Sequence, residues 1–553
     1  MSSEAPLFRF KAERPQLVSE VCRRSFNDFV AMSQKGDTQG LEYALNEAAF
    51  MEIERMQRGA GEGDEIRSIA WWRAMSKRLT VMSEPEKREL LWSLTQSYSE
   101  DIAGKFNPMV YKMATGALPI GLSFLFKTQD IKDMPLPTNL KHVQTTMKHI
   151  RDLSERVQIQ GETETLKSLA RKGTLVFVPT HSSNMDSILL GWSMHSAGLP
   201  PVTYGAGKNL FTNPLTGFFM HNLGAYKVDR RVQHKLYKEI LKTYSQVLLE
   251  RGYHSLFFPG GTRCRSNIVE THLKLGLLGT AISGYVHKLL QDPLASPLYI
   301  CPITINYNLI LEADSLIHDH LRAEGRGRYF LENDEFNQLS TVARFVMNTV
   351  RMDSTTVIRF GQPMDPFGNR VEADGMSYDS HGRIIDPRSY VRSARTGEIG
   401  YDASRDRQYT RYTGTQISDA FLSNTVIMPT QLVSYVLFDI LEKRYPRWDV
   451  FRLLRFGTDE MIAWEELHRG VDAVLSRLKE LANNGGPKLS PMLLEEKADS
   501  IVYAGLDYLR MYHIPVAVER YTDGVMLNRL ELIYFYGNRL RTYEALLREK
   551  VAA

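Results

Sequence analysis

His181 and Asp186 stand five residues apart in the stretch 174–198, TLVFVPTHSSNMDSILLGWSMHSAG. A carboxylate bonded to one imidazole nitrogen fixes the ring's tautomer and leaves the other nitrogen free to take a proton from a hydroxyl. Five residues is not a same-face helical spacing. The pair meets only if His181 lies ahead of a helix's first turn and Asp186 lies within it, so that the carboxylate curls back. A second use of Asp186 stays open: Ser183-x-x-Asp186 has the form of a capping box serving the helix start.

Further along the chain, three segments carry groups suited to an anion, and a fourth walls the same region. Lys208 ends the small-residue run GAGKN and adds a positive charge where the backbone can approach a ligand. The segment LGAYKVDRR ends in Arg230 and Arg231. In FFPGGTRCRSN, the Gly260-Gly261 turn is followed by Arg263 and Arg265, whose planar forks match phosphate oxygens. CPITINYN reads as a strand walling the same region.

These segments need a scaffold, and hydrophobic periodicity supplies one. Apolar runs at 175–180, 201–206, 254–259, 298–308 and 355–361 read as strands, with amphipathic helices between them. One such helix is 233–250, stopped by Arg251-Gly252. The alternation predicts an α/β domain over 151–364, a central mixed sheet flanked by helices. A helical N-terminal domain is expected over 1–150, where residues such as Phe26, Phe29, Leu41 and Leu45 recur at helical spacing, as does 87–98. His149 there has no constellation around it. Residues 365–412, rich in Gly, Asp, Ser and Arg, read as a turn-rich insertion with turns at Asp374-Gly375 and His381-Gly382. A helical C-terminal domain follows over 413–553, with an apolar segment 426–441 interrupted by Pro429 and a loop at 483–487.

Composition narrows the class. The chain has 553 residues, 43% hydrophobic and 24% charged, with a net charge of +4, which gives no footing for nucleic-acid binding. Three well-separated cysteines suggest neither a disulfide framework nor a zinc site, and a reducing compartment is the default. The first residues, MSSEAPLFRFKAERP, lack the apolar core of a secretory leader. No window reaches the roughly 18 consecutive apolar residues of a spanning helix. The nearest approach, MVYKMATGALPIGLSFLF at 109–126, suits either a buried hairpin or a segment embedded in a lipid surface.

The ordered set HSSNMD, GAGKNL with LGAYKVDRR, FFPGGTRCRS and CPITINYN resembles the four sequence blocks of the glycerolipid acyltransferase family. FGQP at 360–363 resembles its closing strand, and the long helical flanks are similar to the glycerol-3-phosphate and dihydroxyacetone-phosphate branch. The resemblance implies acyl transfer from an acyl-CoA or acyl-carrier-protein thioester to the sn-1 hydroxyl of glycerol 3-phosphate. The expected setting is a membrane surface, with the protein peripheral on its inner, cytoplasmic face. No cofactor or metal is implied beyond the thioester co-substrate, and no nucleic acid. His181 would be the general base and Asp186 its orienter. Lys208, Arg263 and Arg265 would hold the acceptor phosphate, with Arg231 as a further candidate. Backbone N–H groups near Gly260 and Gly261 would face the oxyanion. The common third block reads F-P-E-G-T-R, with a glutamate associated with acceptor binding where this chain has Gly260. Alternative readings are a 1-acylglycerol-3-phosphate acyltransferase and a catalytically silent lipid-binding homologue.

Overall fold

The computed structural model describes residues 5–34, 40–59, 66–115, 157–211, 214–321, 355–511, 513 and 515–548. Its centre is a seven-stranded sheet of β1 (Val157–Gly161), β2 (Thr174–Pro179), β3 (Thr203–Gly207), β4 (Ala225–Val228), β5 (Ser255–Leu256), β6 (Leu298–Tyr307) and β7 (Thr356–Phe360). The order across the sheet is β1-β7-β6-β2-β5-β3-β4. The run from β6 to β4 is parallel throughout, whereas β7 is antiparallel to β6 and parallel to β1. Every residue of β2 and of β6 is buried, as expected of strands covered on both faces.

All five strands that sequence periodicity predicts are present, although β5 keeps only two paired residues before the chain turns away. The predicted helix ends at Glu250, and Gly252 adopts φ +80°, the left-handed cap that glycine permits. The helix after β2 begins at Asp186, three residues beyond the Ser183 at which a capping box would start it. Residues 214–222 form a helix opened by Pro214, whose ring suits a first turn.

N-terminal helices Phe10–Gln34, Leu41–Gln57, Ile69–Arg78 and Glu84–Ile102 share one core with the helix Lys235–Glu250. Ser83 and Glu86 form a capping box that starts the last of the four. Of the 109–126 stretch, residues 109–115 are helical; residues 116–126, like His149, lie outside the described residues.

Residues 370–385 form a three-stranded meander whose two turns carry Gly375 and Gly382, both at positive φ. Beyond it, the helix Ala403–Asn424 leads into the C-terminal helices, whose core is continuous with that of the sheet. Pro429 does not interrupt the apolar segment. It opens the helix Pro429–Arg444, which is buried almost all round at the centre of the C-terminal bundle. The C-terminal region also holds a small three-stranded sheet, order Glu460–Ala463, Gly524–Leu527, Val518–Arg520, which helical periodicity did not reveal. Polar residues of β6 bolt this region to the sheet. Thr304 donates to the Asn424 carbonyl (2.7 Å), Asn306 Oδ1 accepts Val426 N–H (3.0 Å), and Gln431 donates to the Tyr307 carbonyl (3.2 Å).

Candidate active site

Because β2 to β6 run parallel, the segments after their carboxyl ends gather along one edge of the sheet, where open α/β folds bind ligands. Leaving β2, Thr180 is held between backbone N–H groups and carbonyls of β6, donating to the Ile303 carbonyl (2.9 Å) and accepting Ile305 N–H on Oγ1 (3.1 Å). His181 follows at once. Its Nδ1 lies 2.9 Å from Asp186 Oδ2, and the same oxygen accepts the N–H groups of Ser182 (2.7 Å) and Ser183 (2.9 Å). Tyr307, at the end of β6, donates its hydroxyl to Asp186 Oδ1 (2.6 Å). Burial, reinforced by the Asp186 charge, raises the Tyr307 pKa well above its ordinary value, so the phenol remains a donor.

Asp186 therefore serves both readings that its spacing left open: it organises the turn ahead of the helix and it orients the imidazole. The carboxylate is fully buried and sits in the helix's first turn, where the dipole favours negative charge. With Nδ1 assigned as the donor to Asp186, Nε2 carries the lone pair. The imidazole stacks on Phe258 at a centroid distance of 4.2 Å, and its side chain remains 12% exposed. His254 offers a contrast. Its Nδ1 accepts Leu175 N–H (3.0 Å), and burial pushes its pKa down to about 4, so it is a neutral structural residue.

The cationic residues divide. Arg263 reaches Glu312, fully buried, with 3.6 Å between Nη1 and Oε1. Glu312 in turn accepts Ser183 Oγ (2.7 Å) and Asn184 N–H (3.0 Å), tying Arg263 to the His181 turn. Arg265, two residues on, turns to Asp319 (3.6 Å), so the two arginines are held by different acids rather than sharing one partner. Lys208 is buried and faces Asp229 at 3.8 Å. Arg231 bends back to the same Asp229 (3.3 Å). Its neighbour Arg230, which closes the LGAYKVDRR segment with it, is not among the residues expected from sequence to hold the phosphate. The Arg230 guanidinium makes no hydrogen bond or ion pair among the described residues. Surrounding protein and then the like charge of Arg263 lower its pKa. The two guanidinium groups, one following β4 and the other β5, are thus within electrostatic reach of each other, and an anion between them would relieve their repulsion.

The two-glycine turn is tighter than an oxyanion cradle requires. Gly261 adopts φ +77°, and its N–H is spent on the Phe258 carbonyl (3.0 Å), so that amide is not available to a substrate. A Cβ on Gly260 would meet the Glu270 carboxylate at 2.8 Å.

Both flanking helical regions reach this edge. His234 Nδ1 accepts Tyr237 N–H (3.2 Å), and its Nε2 faces Tyr98 OH (3.0 Å) and Glu52 (3.6 Å) of the N-terminal helices, fixing the 229–234 turn that carries Arg230. From the C-terminal side, buried Arg539 donates to Ser182 Oγ (3.3 Å) and Asn267 Oδ1 (2.8 Å). Asn538 donates to the Ser266 carbonyl (3.0 Å), so one helix, Leu530–Arg541, pins the 263–270 loop and touches the His181 turn. A cavity of about 580 Å³ between Met364, Asn424 and Tyr543 contains none of these site residues.

Residues 156–306 match the family model described as Acyltransferase. The chain is 27% identical over 203 residues to a glycerol-3-phosphate acyltransferase of Aeromonas hydrophila, covering 36% of this chain and 23% of that protein. It is 32% identical over 163 residues to one from Glaesserella parasuis, covering 29% of this chain and 19% of that protein. A third, from Haemophilus ducreyi, is 29% identical over 215 residues, 38% and 24% of the two chains. The chain thus spans about a fifth to a quarter of the length of these curated relatives. The matched block coincides with the part of the sheet that carries His181, Asp186, Arg230 and Arg263, and over that block the chain is similar to the Acyltransferase family and to these glycerol-3-phosphate acyltransferases.

Proposed function

We propose that this protein transfers a fatty acyl group from an acyl thioester, of coenzyme A or of acyl carrier protein, to the sn-1 hydroxyl of glycerol 3-phosphate, the first step of phospholipid synthesis. The observation that carries this reading is His181, locked through Nδ1 by a buried carboxylate, with Nε2 unpartnered among the described residues. The acceptor hydroxyl gives its proton to Nε2 as its oxygen attacks the thioester carbonyl, and the Asp186 carboxylate stabilises the imidazolium. Collapse of the tetrahedral intermediate breaks the carbon–sulfur bond, and the imidazolium proton passes to the leaving thiolate. Arg263 and Arg230 hold the acceptor phosphate. No covalent enzyme intermediate and no metal enter the scheme.

The test is an assay of purified protein with a labelled acyl thioester against glycerol 3-phosphate, dihydroxyacetone phosphate, lysophosphatidate and glycerol. Glycerol 3-phosphate is expected to be acylated fastest and glycerol hardly at all. Faster acylation of lysophosphatidate would move the assignment to the next step. Turnover of none of them would leave a lipid-binding role.

We also propose that the protein works peripherally on the inner face of a membrane. Among the described residues no helix is long and apolar enough to cross one, while Met109 and Met113, at 71% and 62% exposure, project from the helical segment 108–115. A high-pH carbonate wash is expected to release the protein from membranes. Retention in the pellet would contradict a peripheral association.

A further inference from the structure

Among the described residues, Glu270 is the one carboxyl bonded to His181 that the mechanism above leaves unused. Its Oε1 accepts the His181 backbone N–H at 3.3 Å, whereas Oε2 is shut away from solvent with no hydrogen-bond partner among the described residues. An idle buried acceptor next to a reacting imidazole is costly unless a ligand completes it. Its position is also specific. A Cβ on Gly260 would lie 2.8 Å from Cδ and both oxygens of Glu270, so the carboxyl occupies the space that a side chain on residue 260 would fill. The absence of a side chain at 260 is what lets a residue ten positions downstream reach this edge of the sheet.

Resting on the glycerol-3-phosphate reading above, we propose that Glu270 is the acceptor-orienting residue of this site, its Oε2 hydrogen-bonding the secondary hydroxyl that is not acylated. The phosphate clamp fixes one end of the acceptor. A contact to the middle hydroxyl then leaves the terminal hydroxyl as the group presented to His181 Nε2. Burial first, with the Asp186 charge adding, raises the Glu270 pKa to about 8, against the opposing effects of the His181 N–H and the Arg539 charge. At neutral pH the side chain is therefore a neutral acid, able both to donate to a hydroxyl and to accept from it. Glutamine copies that capacity and alanine does not.

The experiment compares glycerol 3-phosphate with 3-hydroxypropyl phosphate, which lacks only the secondary hydroxyl, in steady-state assays of the full chain. The wild-type protein is expected to prefer glycerol 3-phosphate by about tenfold or more in kcat/KM, the effect of one hydrogen bond to a buried group. Glu270→Ala is expected to erase that preference while leaving the donor KM and Tm near wild type, and Glu270→Gln to keep most of it. Gly260→Ala, which pushes the carboxyl aside without removing it, is expected to act like Glu270→Ala. The double variant Gly260→Glu with Glu270→Ala returns a carboxyl to the same space and is expected to recover the preference. Unchanged discrimination in Glu270→Ala would overturn the proposal, as would equal losses toward donor and acceptor with a lowered Tm. If the wild-type protein acylates neither compound, the functional reading itself fails, and the acceptor assigned to Glu270 falls with it.

Discussion

Replacing His181 with alanine is expected to lower kcat by about 10²–10⁴-fold, the usual contribution of a general base, with little change in either KM or in Tm. The expectation of an intact fold follows from the site. His181 donates no bond that holds the sheet, its ring rests on Phe258 at the surface edge, and the turn around it is held by Asp186 through the N–H groups of Ser182 and Ser183. Asp186→Asn should behave differently. An amide presenting its NH₂ to those two backbone donors leaves them unsatisfied in a buried turn, so activity and Tm should fall together. Comparing the two variants separates the base from its support. A folded His181→Ala protein with near-normal turnover would remove the mechanism.

Arg230→Ala and Arg263→Ala are each expected to raise the KM for glycerol 3-phosphate by about tenfold or more, the equivalent of about 1.5–3 kcal/mol for a charge-assisted contact to phosphate. The donor KM should move much less. Arg230 gives the cleaner measurement, because its guanidinium has no partner among the described residues to leave behind. Loss of Arg263 also strips a cation from buried Glu312, so part of its effect should appear as reduced Tm. Arg265→Ala is the internal control. Its partner Asp319 and its own side chain are partly exposed, at 34% and 46%, and such pairs are worth little. An acceptor KM that rises equally for Arg265→Ala, or not at all for Arg230→Ala, would show that the phosphate sits elsewhere.

What was legible in the sequence is what neighbouring residues settle among themselves. The strand–turn–helix around His181 and Asp186 is a matter of five residues: an apolar run ends, backbone N–H groups need an acceptor, and a carboxylate at the helix start provides it. The glycine stop after Glu250 and the turns at Gly375 and Gly382 are local in the same sense, fixed by backbone conformations that side chains disfavour. The alternation of apolar strands and amphipathic helices was equally enough to give the fold class, since each element must bury one face.

Other parts depended on which strands become neighbours. Tyr307 reaches Asp186 across 121 residues because β6 lies beside β2, and no spacing rule connects them. Arg230 comes within electrostatic reach of Arg263 because β4 and β5 flank β3 in a parallel sheet, whereas Arg265, two residues beyond Arg263, is drawn to Asp319. Arg539 meets Ser182 from 357 residues away, through a helix whose apolar face belongs to the same continuous core. The place of Glu270 over Gly260 follows from a loop that returns past the turn it has just left. Local hydrogen bonding and hydrophobic period thus determined the His181–Asp186 turn and the class of fold. Sheet order and the packing of the two helical flanks decided which charges meet around that turn, because those contacts join residues that the chain holds far apart.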